Sequence, residues 1–190
     1  DNLVPGTIGS DQNVCDGATS AAQLTSVSLA SGGTQGSYEY QWESSASLNS
    51  GYSPINGATL ASYTPQFAPI AANIYYRRKV TNAGVSAYSN TVTVNRIAKP
   101  TVSISSSSTS NSSLSATAPT IPNGAQITLT ATATGSNVAN GAQYVWSPSN
   151  GLSSSAGAAV QANPSSTATY TVTATTVASP GCSNTSTITL

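Results

Sequence analysis

The chain has 190 residues, five acidic and five basic side chains, no histidine, and a formal net charge of zero. That balance leaves no electrostatic footprint for nucleic acid or an anionic membrane surface, and no apolar run approaches the length of a membrane span. The length suits two small β-sandwiches of roughly 95 residues each, every one large enough to bury a core without a metal.

In chain order, period-two alternation and turn residues predict strands over 7–9, 23–30, 38–45, 60–65, 74–81 and 88–95. Turn signals at Ser31-Gly-Gly33, Asn56-Gly57 and Asn82-Ala-Gly84 separate several of these runs. Tyr38, Tyr40 and Trp42 fall on one strand face, and Glu39, Gln41 and Glu43 on the other. Past Ile97–Pro100 the strands are expected over 101–105, 125–134, 142–147, 157–162, 167–176 and 184–190. Here Ile127, Leu129, Ala131 and Ala133 alternate with threonines, the pattern of a half-buried antiparallel strand. Turns are expected at Asn123-Gly124, Asn150-Gly151 and Ser179-Pro-Gly181. No stretch carries a helical stripe with caps.

The two halves repeat one pattern. Tyr38-Glu-Tyr-Gln-Trp42 matches Ala142-Gln-Tyr-Val-Trp146, and Ile74–Thr81 matches Ala168–Thr175. Ser89-Asn-Thr91 matches Ser183-Asn-Thr185, with 14 positions from Tyr76 to Asn90 and 14 from Tyr170 to Asn184. Cys15-Asp-Gly17 corresponds to Pro122-Asn-Gly124. This predicts an all-β chain of two tandem Ig-like or PKD-like antiparallel sandwiches arranged end to end, residues 1–97 and a shorter module at 98–190. Trp42, Tyr76, Trp146 and Tyr170 are the expected core aromatics, and the two tyrosines suit a tyrosine corner.

The charges divide the function classes further. All ten lie before residue 100, so residues 100–190 contain no Asp, Glu, Lys, Arg or His. That half offers no ordinary acid–base group beyond Tyr and Cys, and no carboxylate for calcium. With no nucleophile–base pair to assemble, no catalytic residue, cofactor or metal ligand is expected. Asp11 and Asp16 are the residues that could contribute to a calcium site; two isolated acids in a Gly/Asn-containing loop read better as Asx turns. Arg77, Arg78 and Lys79 read as a solvated strand face, with Glu39 and Glu43 opposite Arg77 and Lys79. Tyr52, Tyr63 and Tyr88 are the tyrosines available to stack on a sugar ring, against the ordinary alternative of core or rim packing.

Gly6–Cys15, Tyr40-Gln-Trp42, Asn56–Thr59, Tyr63-Thr-Pro65, Tyr75-Tyr-Arg-Arg78 and Ser89–Val92 resemble the repeat modules of Bacteroidetes surface proteins. Val145–Pro148, Gly151-Leu152, Ala168–Val172 and Gly181–Asn184 resemble the shorter variant of the same modules. The kin named by this resemblance are the SprB-type gliding adhesins and related proteins with Ig-like or PKD-like repeats. It implies a bacterial cell-surface location, export by type IX secretion, and service as a spacer whose partners are neighbouring modules of the same chain. The alternative it leaves open is a carbohydrate-binding or accessory module of a secreted polysaccharide-active protein, with a surface polysaccharide as partner. The chain begins at Asp1 without Met and ends at Leu190 inside a strand pattern, as a segment of something longer would.

Modules of that family usually pair a Cys near the first strands with one in a Gly-Cys motif before the last strand. Here Cys15 meets Gly84-Val85 at the later position, and Cys182 meets Ile121-Pro122 at the earlier one. Each module keeps half of that bridge, so Cys15 and Cys182 are expected as two unpaired, buried thiols. The alternative, a Cys15–Cys182 bond, is expected to require the modules to fold back on each other.

Overall fold

A computed structural model describes residues 2–34, 36–108, 119–122 and 125–190. It is all-β apart from a 3-10 turn at Ser136–Val138. The chain divides into two compact units, Asp1–Ile97 and Ala98–Leu190. The turn expected at Asn123-Gly124 lies outside the described residues.

Unit 1 contains β1 (Thr7–Ile8), β2 (Gln12–Cys15), β3 (Ser26–Ser28), β4 (Glu39–Ser45), β5 (Ser53–Pro54), β6 (Ile74–Asn82), β7 (Val85–Tyr88) and β8 (Val92–Ile97). Six of them form one sheet in the order β2-β8-β6-β4-β5, with β7 added to β6; β1 and β3 pair separately. The core between these layers holds Ile8, Leu24, Trp42, Ala58, Ile70, Tyr76, Val92 and Val94. Alternation produces it: along β6, Tyr76, Arg78, Val80 and Asn82 are buried while their neighbours are half-exposed.

The second layer is less regular than the expected strand at 60–65. Only an isolated bridge joins Leu24 to Tyr63. Side chains claim the carbonyls that a ladder would need. The Leu60 carbonyl accepts the Trp42 indole N–H at 2.9 Å, and the Ala61 carbonyl accepts Arg78 Nη1 at 2.5 Å. Pro65 has no N–H to offer. Three strands were not expected, the two-residue β5 among them. β2 lies in what reads as loop, and β7 is separated from β8 where Ser89 takes hydrogen bonds with the Arg78 backbone.

Among the described residues, unit 2 is a sandwich of two three-stranded sheets. One has the order β12 (Ala159–Ala162), β10 (Ile127–Thr134), β9 (Thr101–Ser107). The other has the order β11 (Ala142–Ser147), β13 (Thr169–Thr176), β14 (Ser183–Thr189). Ile127, Leu129 and Ala131 face Trp146, Tyr170, Val172 and Ile188 across the core. The Tyr170 hydroxyl donates to the Asn150 carbonyl at 2.9 Å, twenty positions back. A tyrosine corner reaches only a few residues upstream, so this bond ties β13 to the turn after β11 instead. Gly151 sits in that turn at φ 77°, and a Cβ there would stand 2.8 Å from the Tyr170 hydroxyl. Only glycine fits both demands.

The cysteines correct the sequence reading. Cys15 and Cys182 are both disulfide-bonded, and no free cysteine occurs among the described residues. Spacing locates a cysteine on its strand but carries no information about the partner of its sulfur. The absence of a second cysteine at the familiar position therefore did not make either one a thiol.

Candidate functional site

The four aromatics expected in the cores are buried: Trp42 and Tyr170 at 0% exposure, Tyr76 and Trp146 at 2%. Both indoles are held alike. Trp42 Nε1 donates to Leu60 and Trp146 Nε1 to Gly157, each at 2.9 Å, so neither ring presents a face to solvent. Burial pushes the Tyr76 and Tyr170 hydroxyls above the ordinary phenol range, and the nearby Tyr63 adds to the Tyr76 shift.

The remaining candidate surface is the outer face of the large sheet in unit 1. In the β4–β6 register Glu43 lies opposite Arg77, Gln41 opposite Lys79 and Glu39 opposite Thr81. One of the two charge pairs expected from the sequence is therefore present, and Lys79 faces an amide instead of a carboxylate. The Glu43–Arg77 pair is close, with Nη2–Oε2 at 2.7 Å and Nε–Oε2 at 2.8 Å. Two tyrosines then enclose the guanidinium. Its carbon is 4.1 Å from the Tyr52 ring centroid and 3.9 Å from that of Tyr88, within cation–π range.

This Tyr52–Arg77–Tyr88 stack uses the two tyrosines that sequence reasoning put forward for sugar contacts. Arg77 covers one face of each ring. The Tyr52 hydroxyl donates to the Leu48 carbonyl at 2.9 Å within the loop before β5. Tyr88 is 45% exposed. The third tyrosine, Tyr63, turns inward, its ring 5.7 Å from Trp42 and 6.0 Å from Tyr76. Beside the stack runs an open groove lined by Tyr38, Glu39, Tyr40, Gln41, Lys79 and Thr81.

Arg78 departs furthest from expectation. Instead of sharing a solvated face with Arg77 and Lys79, it is 0% exposed. Its guanidinium donates to Ser26 Oγ at 2.6 Å, to the Ala61 carbonyl at 2.5 Å and to the Pro5 carbonyl at 3.3 Å. Its carbon lies 4.8 Å from the Tyr40 ring and 5.8 Å from Trp42. Burial lowers its pKa, and Tyr40 acts in the opposite direction. The signal was present in the sequence: strict alternation from Tyr76 through Val80 puts position 78 inside.

Asp11 and Asp16, the candidate calcium ligands, have protein partners. Asp11 Oδ1 accepts the Thr93 N–H at 2.8 Å. Asp16 receives Arg96 through Nε at 3.0 Å and Nη2 at 2.8 Å, a bidentate geometry. No cluster of three potential metal ligands occurs among the described residues. No described helix is long and apolar enough to cross a membrane.

A family model described as "Domain of unknown function (DUF8696)" matches residues 4–97. No curated protein matches the chain. Among solved structures, the chain is similar to the N-terminal four Ig domains of Dscam1 isoform 6.9. That match has 9% identity and a TM-score of 0.40, covering 96% of this chain and 45% of that one. It is also similar to DIP-gamma IG1+IG2, at 13% identity and a TM-score of 0.39, covering 97% and 94% of the two chains. Drosophila OTK extracellular domains 3–5 match at 12% identity and a TM-score of 0.37, covering 100% and 60%. The chain spans less than half the length of the first structures it matches, 43% of Dscam1 isoform 1.9 and 45% of isoform 6.9.

Proposed function

We propose that this chain is a length of passive, non-catalytic stalk: two tandem Ig-like modules of a large extracellular adhesin on a bacterial surface. One observation carries this reading. Six of the eight described ionic side chains of unit 1 are engaged within the fold: Arg77 with Glu43 and two tyrosines, Arg96 with Asp16, Asp11 with a backbone N–H, and Arg78 with hydroxyl and carbonyl oxygens, while Glu39 and Lys79 line the open groove. Groups held this way stabilise a module and are poorly placed to capture a ligand or move a proton. Unit 2 has Lys99 as its single Asp, Glu, Lys, Arg or His side chain. The motif resemblance supplies the setting of this proposal: a gliding-type adhesin exported by type IX secretion, with neighbouring modules as partners.

A second reading, a polysaccharide-binding module, is favoured by the position of Tyr88 beside Tyr52 on the solvent face of the sheet. The two readings separate in a module exchange. In the parent surface protein, residues 1–190 would be replaced by an unrelated pair of sandwich modules of equal length. The stalk reading expects attachment and its ligand specificity to survive the exchange. Loss of attachment with normal surface display would sink it.

A further inference from the structure

We propose that Asn56-Gly57 is a site of spontaneous covalent modification in the folded chain, where Asn56 deamidates through a cyclic imide and the product loosens the turn tied to Trp42. Four Asn-Gly pairs occur in the sequence, at 56, 123, 140 and 150. Glycine has no side chain to shield its own nitrogen, so sequence alone makes the four equally open to this reaction. Asn123-Gly124 lies outside the described residues. The fold treats the other three differently.

The reaction needs only hydroxide and water. Hydroxide takes the Gly57 amide proton, the nitrogen closes on Asn56 Cγ, and the Cγ–Nδ2 bond breaks with release of ammonia. Water then opens the imide at either carbonyl. One opening yields aspartate; the other yields isoaspartate, whose backbone is longer by one methylene. To close the ring, the peptide between Asn and Gly must swing about the Asn Cα–C bond. Any hydrogen bond on that peptide resists the swing.

At Asn56-Gly57 nothing resists it. Both residues are exposed, in the middle of a turn closed by the Ala58 N–H on the Ile55 carbonyl at 3.1 Å. Neither the Asn56 carbonyl, the Asn56 side chain nor the Gly57 N–H has a hydrogen-bond partner among the described residues. Gly57 has φ 73°, and no atom lies within 4 Å of the place a Cβ would take. At Asn140-Gly141 the nucleophile itself is held, because the Gly141 N–H donates to the Val138 carbonyl at 2.7 Å. At Asn150-Gly151 the other end of the peptide is pinned. The Asn150 carbonyl accepts the Tyr170 hydroxyl at 2.9 Å, and ring closure would withdraw this acceptor from a fully buried tyrosine.

The consequence follows from what the turn holds. The Ile55 N–H donates to the Trp42 carbonyl and the Trp42 N–H to the Ala58 carbonyl, each at 2.9 Å. Gln41 Nε2 adds a bond to the Ile55 carbonyl at 2.8 Å. Ala58 is itself part of the buried cluster around Trp42. A tight turn fixes the spacing of its two ends, so an added methylene between Ile55 and Ala58 takes both out of register with β4.

Timed incubation of the full chain at mildly alkaline pH tests this, with peptide mapping by mass spectrometry to read conversion at each asparagine. A parallel incubation in urea supplies the rates without the fold, where the three sites should react alike. Folding should slow Asn140 and Asn150 by about tenfold, the weight of one hydrogen bond that must first break, and Asn56 by less than about threefold. Tyr170→Phe should speed the Asn150 reaction and leave Asn56 unchanged. Protection of Asn56 equal to that of the other two would overturn the assignment, as would conversion of Asn150 or Asn140 as fast as Asn56 in the folded chain. Amide exchange at Ile55 and Trp42 should be faster in the separated isoaspartyl form than in Asn56→Asp, which gains the carboxylate at unchanged backbone length. Equal exchange in those two proteins would overturn the loosening. Neither failure touches the stalk reading, which the module exchange tests by a separate observable.

Discussion

Arg78 and Trp42 stand opposite each other in the β4–β6 register, both fully buried, with the guanidinium carbon 5.8 Å from the indole ring. A buried cation is tolerated when it is hydrogen-bonded, and here Pro5, Ser26 and Ala61 supply oxygens from three separate segments to its terminal nitrogens, while Nε is buried without a hydrogen-bond partner among the described residues. Arg78 thus ties the irregular second layer to the sheet. Arg78→Leu would leave two carbonyls and a hydroxyl without this partner, and should destabilise unit 1 by about 2–4 kcal/mol. Urea denaturation monitored by Trp42 fluorescence reads the loss. An unchanged midpoint would show that those oxygens find other partners.

The two indoles should respond alike. Trp42→Phe and Trp146→Phe each remove an N–H donor from a backbone carbonyl and leave a void in the core, for an expected cost of about 2–3 kcal/mol in their own unit. Amide exchange resolved by residue would assign each loss to residues 1–97 or 98–190. A large effect at one Trp with none at the other would contradict equivalent roles.

The Arg77 stack predicts a smaller effect. Tyr88→Ala removes one of two cation–π contacts at a partly exposed site and should cost about 0.5–1 kcal/mol. Arg77→Ala should cost somewhat more, because it also strands Glu43, whose side chain is 8% exposed. Thermal melts of the two variants test the ranking.

The pH response should be one-sided. Folding holds the Tyr76 and Tyr170 protons more tightly than the unfolded chain does. The stability this contributes is fully present below about pH 10 and is lost as pH rises beyond the unfolded phenol range. Unit 2 has no carboxylate side chain, so its stability should stay level on the acid side, down to about pH 3. Hydrogen exchange across a pH series checks both halves of this statement, and an acid transition confined to residues 98–190 would contradict it.

Much of the fold was legible because alternation is a local signal. β4, β6, β10, β11 and β13 lie close to their predicted spans, and the same alternation places Trp42 and Trp146 inside. The irregular layer of unit 1 was not, because the Leu60 and Ala61 carbonyls are claimed by side chains distant in sequence. β2 escaped for a related reason: its partner β8 is about 80 residues away, and a parallel pairing leaves no hairpin turn as a marker. At the candidate surface, composition pointed to Tyr52 and Tyr88 but not to the guanidinium between them. Three consecutive basic residues on a strand read as one patch, whereas the pleat sends the middle one into the core.

The central claim is that this chain spans distance and does not bind. Its most direct test is an array of polysaccharides and glycans probed with labelled residues 1–190, beside the Tyr52→Ala/Tyr88→Ala double variant. The stalk account predicts no saturable retention by any glycan and the same background for both proteins. A saturable signal that the double variant loses would contradict it, and would make the outer face of unit 1 a carbohydrate-binding site.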